Sequence, residues 1–299
     1  MKEITEYIAY KTMIVFTSII PFRILYFFSD ILAFKLQYFI GYRKKTIAVN
    51  LTQSFPNTQQ TDILYVTKRF YHHLSDVFFE TLKSYSIRSG KKTGRFVITN
   101  PEILDKLYLE QKSCVLMMAH YANWEWIIQS THYLKHRWCS IYKPLRNKKV
   151  NSHLLNVRKK FGMHLFPQDK TGFMVRNNIN APSVFTYISD QSPAGIPEQP
   201  YWIPFLNRLT ACHSGAEVLA VKFNLPVYYL DVQKISRGKY KAEIKPVCMN
   251  PKDTEPGQIT TKYMQMLEAI IKEKPEYWLW SHRRWKKTVP KEFIESQIQ

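Results

Sequence analysis

Between Ser113 and His120 lie six apolar residues in a row, Cys114-Val-Leu-Met-Met-Ala119. The block is too short for an isolated helix and is bounded by polar residues, which is the pattern of a strand buried on both faces. The chain around it supplies the partners such a strand needs. Helical patterns are expected at 61–86, 101–111, 124–135, 148–161, 211–223 and 258–274. Strands are expected at 138–142, 163–166, 183–189, 226–233 and 240–247, the last two joined through a turn at Ser236-Arg237-Gly238. Strands alternating with helices of this length predict an α/β fold, a mostly parallel sheet flanked by helices, with an antiparallel hairpin at its edge. In such sheets the ligand crevice lies at the carboxyl ends of the strands.

The first forty residues follow a different rule. From Ile8 to Ile40 the chain is mostly apolar and aromatic, but Lys11, Arg23, Asp30 and Lys35 interrupt it, and its longest uncharged stretch, Thr12 to Phe22, is 11 residues. A helix needs about 20 to cross a bilayer. No small-residue cleavage site follows, so a signal peptide fits poorly. The expectation is an N-terminal membrane-associating helical segment, residues 1–40, lying in the interface and preceding a single catalytic-size domain, 41–299. Arg43-Lys44-Lys45 directly after it would hold the rest of the chain on the cytoplasmic, anionic-lipid side.

Charge narrows the partners. Lys and Arg number 43 against 23 Asp and Glu, a formal net charge of +20, while 45% of residues are hydrophobic. That much apolar surface excludes a disordered chain, and the charge calls for an anionic partner: nucleic acid, an acidic protein or an anionic lipid surface. Four cysteines at 114, 139, 212 and 248 form no Cys-x-x-Cys pair, and Cys114, inside the apolar block, reads as a small core hydrophobe.

Chemistry concentrates just past the buried strand, in His120-Tyr-Ala-Asn-Trp-Glu125. An imidazole there sits at the crevice end of the sheet. Five helical steps would turn Glu125 away from His120. The two can meet if His120 is in the strand-to-helix turn, with Asn123 as N-cap and Glu125 in the first helical turn. Such a pair makes a general base, the carboxylate fixing the tautomer; the alternative is a hydrogen-bonded core histidine and a helix-end charge. Gly-x-Ser-x-Gly, Gly-x-Gly-x-x-Gly, Walker A and His-Glu-x-x-His are all missing, so the proton to be removed belongs to a substrate hydroxyl or a water. His132 and His136 share an i,i+4 spacing without a third ligand, and no metal and no cofactor is expected.

The His-x4-Glu signature after an apolar strand resembles that of glycerolipid and lipid A acyltransferases. Further segments run in the order of the bacterial lipid A late acyltransferases: Tyr142-Lys-Pro-Leu-Arg-Asn147, Arg158-Lys-Lys-Phe-Gly162, Asp190-Gln-Ser-Pro-Ala-Gly195, Ile203-Pro-Phe205 and Trp280-Ser-His-Arg-Arg-Trp285. The chain departs from the family's pattern at Lys143, at Phe205-Leu206-Asn207 and at Ala211-Cys-His-Ser-Gly215. Asn207 tolerates the left-handed backbone that glycine gives in the family.

The resemblance implies a glycerolipid acyltransferase-like fold in the cell inner membrane, on its cytoplasmic face. It also implies transfer of a fatty acyl chain from an acyl carrier protein thioester to a hydroxyl of a lipid A precursor. In that reading His120 is the base, Glu125 its partner and Arg158 a stabiliser of the oxyanion or of a substrate phosphate. Asn123, Lys143, Asp190, Arg283 and Arg284 form the substrate-binding set, with Asp190 chiefly ordering its loop. The partners are the carrier protein, the lipid A precursor and inner-membrane lipids, with no nucleic acid. Coenzyme A as the donor's carrier, another lysolipid or aminolipid as acceptor, and a non-catalytic membrane-surface or nucleic-acid-binding protein are the rival readings. The run His282 to Lys287 suits phosphate contact at a membrane interface better than RNA stacking.

Overall fold

The computed structural model describes residues 2–88, 93–131, 134–193 and 200–290. In chain order the elements are α1 (Lys2–Ile19), α2 (Phe22–Phe34), α3 (Lys44–Ser54), α4 (Gln60–Ser84), β1 (Phe96–Ile98), α5 (Glu102–Leu109), β2 (Cys114–Met118), β3 (Arg137–Tyr142), α6 (Lys148–Lys160), β4 (Met163–Pro167), α7 (Thr171–Asn178), β5 (Ser183–Ile188), β6 (Tyr201–Phe205), β7 (Arg208–Cys212), α8 (Gly215–Phe223), β8 (Val227–Ser236), β9 (Lys239–Cys248) and α9 (Gln258–Glu273). A π turn, Lys35–Phe39, extends α2, and a 3₁₀ turn, Trp124–Gln129, follows β2.

Seven strands form one sheet in the order β1-β9-β8-β2-β5-β3-β4, parallel throughout except between β8 and β9. The apolar block is its central strand. Every residue of β2 is buried, because β5 and β8 pair with its two edges and helices cover its faces. The β8–β9 hairpin expected at the edge lies one strand inside it, since β1 pairs with β9. Gly162 ends α6 at φ +84°, a conformation open to glycine at little cost.

Several boundaries move. The helix expected at 124–135 is the short 3₁₀ turn, and His132 lies outside the described residues. The helix expected from 211 starts at Gly215, because 208–212 is the second strand of an antiparallel ribbon with β6. The ribbon turns through Leu206 and Asn207, both at positive φ, +49° and +61°. The turn is fastened from outside: Glu268 accepts the Leu206 N–H at 3.0 Å, and the Asn207 amide donates to the Ser54 carbonyl at 2.8 Å.

The N-terminal segment forms α1 and α2, which pack on α4, with α1 also touching α6. Among the described residues no single helix is long and apolar enough to cross a membrane. The pair Phe22–Phe39 and Lys44–Ser54, bent by 88°, passes by length and composition only. On α4 the buried face is not purely apolar. Leu64 and Phe78 are exposed, whereas Asp76 and Glu80 are buried among partners from other elements.

Candidate active site

The site begins with register. Met118 of β2 lies beside Ile188 of β5 in a parallel pair, and the Ser189 N–H continues the ladder to the Met118 carbonyl. Residues two positions beyond each strand therefore emerge side by side, and these are His120 and Asp190. Asp190 Oδ1 is 2.7 Å from His120 Nδ1, while Oδ2 accepts the His120 backbone N–H at 3.0 Å and the Trp278 indole N–H at 2.9 Å. Burial pushes the Asp190 carboxyl up, but the adjacent imidazole and the hydrogen bonds from His120 and Trp278 outweigh it and hold the group below the usual carboxylate range. An ionised carboxylate only accepts, so Nδ1 carries a proton, and in the neutral ring the lone pair is then on Nε2. The side-chain amide of Gln191 stands 3.3 Å from Nε2, and the ring of Trp124 meets the imidazole edge to face at 5.0 Å.

The carboxylate on the imidazole is thus Asp190, not Glu125 as the sequence reading expects. Glu125 enters the 3₁₀ turn and faces Arg158 on α6, both of its oxygens accepting from Nη2, at 3.1 and 3.0 Å. The charge of Glu125 is the main cause holding the Arg158 pKa above its ordinary value, against the opposing effect of burial. Asn123 does not cap the turn. Its amide donates to the buried Glu80 of α4 at 2.7 Å. Ala122, at φ +50°, is fastened on both sides, by its N–H to the Tyr277 carbonyl at 3.0 Å and by its carbonyl to His73 Nε2 at 3.2 Å.

Lys143 is exposed immediately after β3, next to β5 in the sheet and at the same carboxyl edge. Arg283 is exposed as well. Arg284 is not: it is 1% exposed, and donates Nη1 to the Ala211 carbonyl at 2.7 Å and Nη2 to Cys212 Sγ at 3.3 Å. Trp278, Trp280 and Trp285 stack edge to face and fold this segment over β7, which carries Arg284 inward. Arg284 is a cross-link here rather than a surface phosphate contact. His282 is electrostatically coupled to Asp190 and His120; burial first, then the neighbouring cations, lowers its pKa to about 4 against the pull of Asp190.

Trp278 is the site residue that the sequence reading missed. Its one visible signal is its place, two residues before the quoted Trp280-Ser-His282 segment. Among the described residues no group of three or more His, Cys, Asp and Glu is arranged to hold a metal ion. Cys114 is buried, and burial pushes its thiol up to about 12, out of reach of nucleophilic chemistry at neutral pH.

An imidazole at the carboxyl end of the central strand of a mostly parallel sheet, with a buried carboxylate behind it, suits proton removal from an alcohol. The family model for bacterial lipid A biosynthesis acyltransferases matches residues 2–287. The chain belongs to that family. The match spans α1 through the segment that carries Trp278 and Arg284, so the N-terminal helices, the sheet and the site all lie within the matched residues. A search of curated proteins finds no match. Family membership makes acyl transfer in lipid A synthesis the activity to account for, with a lipid A precursor as acceptor and an acyl donor as second substrate.

Proposed function

We propose that the protein transfers a fatty acyl chain from an acyl carrier protein thioester to a hydroxyl of a lipid A precursor, with His120 as general base. One observation carries the reading. Asp190 holds Nδ1–H of His120, which leaves Nε2 as the proton acceptor at the carboxyl edge of the sheet. The acceptor hydroxyl displaces the Gln191 amide from Nε2 and gives up its proton there. Its oxygen attacks the thioester carbonyl; the tetrahedral intermediate then collapses, the C–S bond breaks, and the thiolate takes the proton back from Nε2. Asp190 stabilises the imidazolium between the two transfers.

Arg158 suits the oxyanion. Both of its bonds to Glu125 use Nη2, which leaves Nη1 and Nε to donate. Glu125 in this scheme positions Arg158. Asn123 acts through Glu80 on the geometry of the turn.

The reading places the chain on the cytoplasmic face of the inner membrane, with α1 and α2 lying in the interface. Ile19 and Phe39 are each 76% exposed and are accompanied by Ile8, Val15, Phe27 and Phe34, an apolar surface that supports such an orientation.

The test is transfer by the purified protein from an acylated carrier protein to a lipid A precursor. His120→Ala is expected to lose roughly 10²–10⁴-fold in kcat. Retention of near wild-type transfer overturns the mechanism. Mass spectrometry of lipid A from cells with and without the protein checks the acceptor, by the loss of one acyl chain from lipid A.

A further inference from the structure

A cleft of about 560 Å³ opens between α2, α4 and the β8–β9 hairpin, and none of His120, Glu125, Arg158 and Asp190 lines it. Its walls carry four cationic side chains, Lys68, Arg69, Lys234 and Arg237, against two carboxylates, Asp30 and Asp76. The inner cations are tied. Arg237 bonds Asp76 through Nε and Nη2 at 3.0 and 2.7 Å, and Asp30 through Nη1 and Nη2 at 3.1 and 2.7 Å; Lys234 reaches Asp76 at 3.1 Å. Of the outer cations, Arg69 gives Nε to Glu276 at 3.1 Å and lies 5.7 Å from the centre of the Tyr65 ring, whereas Lys68 is exposed with no ion pair among the described residues. His72 adds an imidazole, with Nδ1 3.0 Å from Asp30.

With Glu276 counted, three carboxylates stand against four cations, so the opening keeps an excess of positive charge that attracts an anion. The free donors have the type and number for a phosphate, whose oxygens accept from guanidinium and ammonium groups together. The rim is apolar. Phe27 and Phe34 stand about one turn to either side of Asp30 on α2 and are 62% and 53% exposed, and Leu64 and Tyr65 stand out from the start of α4. A cationic hollow beside an exposed apolar and aromatic strip is the arrangement that holds a charged headgroup at a lipid surface.

We propose that this cleft is a phosphate site outside the acyl-transfer centre, its ligand a phosphate carried by an anionic lipid headgroup or free in solution. The proposal goes beyond the acyl-transfer reading and does not depend on it. Full-length protein is tested in two arms: sedimentation with phosphatidylcholine vesicles containing or lacking phosphatidylglycerol, and thermal unfolding in inorganic phosphate or chloride at matched ionic strength. Wild type, Lys68→Gln/Arg69→Gln and Lys106→Gln/Lys222→Gln are compared; the last removes the same charge from exposed positions of α5 and α8 that do not line the cleft.

The cleft variant is expected to lose the phosphatidylglycerol-dependent part of binding by roughly tenfold or more, with the Lys106→Gln/Lys222→Gln variant losing clearly less. The charge-conserving Lys68→Arg/Arg69→Lys is expected to retain it, which separates loss of the site from misfolding. A rise in Tm in phosphate that disappears only in the cleft variant, without a vesicle preference, assigns the site to free phosphate. Equal losses in the two charge-removing variants, or no phosphate dependence in either arm, overturn the proposal.

Discussion

His120 depends on Asp190 in two ways: the carboxylate fixes the tautomer through Nδ1 and the position of the residue through its backbone N–H. Asp190→Asn keeps the shape but offers an amide where three N–H groups point, so kcat is expected to fall roughly 10²–10⁴-fold. Glu125→Gln leaves the imidazole and its carboxylate intact and is expected to lose less; steady-state kinetics of the two variants side by side distinguishes them. A second residue-scale effect belongs to stability. Burial holds His73 at a pKa of about 3, against 6.5 for the ordinary side chain. Below pH 6.5 the unfolded chain therefore takes up a proton that the folded chain refuses until about pH 3. Stability is lost as pH falls across that window, by up to about 1.4 kcal/mol for each pH unit. His73→Gln is expected to flatten this part of the stability profile, measured by denaturant unfolding between pH 4 and 7 (roughly the span of the effect).

At the scale of elements, α4 ties the N-terminal helices to the turn that follows His120. Glu80 accepts from Tyr26 of α2 at 2.9 Å, from Tyr240 of β9 at 2.7 Å and from Asn123 of the turn at 2.7 Å. Asn123→Ala takes one donor from this buried carboxylate and is expected to cost about 1–3 kcal/mol, read as a lower midpoint in urea without a change in slope. This link was out of reach for sequence reasoning, because residues 26, 80, 123 and 240 meet only through the fold. The central strand was legible, since six apolar residues between polar neighbours admit little else. So was the crevice end where His120 and Asp190 both follow strands. Which carboxylate meets the imidazole was not legible, because it depends on the β2–β5 register, and nothing local to 120–125 encodes it. The β6–β7 ribbon was read in part as helix because its turn uses Leu206, a residue whose type gives no signal for positive φ.

Across the whole molecule, part of the +20 net charge lies at the edge where the proposed carrier-protein donor would arrive. Lys143, Arg146, Lys148 and Lys149 are all exposed between β3 and the start of α6, at the carboxyl edge that also carries His120. An acidic carrier protein approaching this edge is drawn by long-range attraction, which raises encounter rates and is screened by salt over about 10 Å at 0.1 M. Chemistry at Nε2 lies beyond that influence once the thioester is seated. The two steps should therefore separate: Lys143→Glu/Arg146→Glu is expected to raise KM for the acylated carrier protein about tenfold while kcat stays within about twofold. In wild type the same KM should climb with ionic strength. A neutral thioester such as acyl-pantetheine lacks the acidic surface, so its KM is expected to be indifferent both to salt and to the double substitution. A KM for the carrier protein that ignores salt, or a double variant that loses kcat instead, shows that this loop serves the chemistry or the fold and not the docking of the donor.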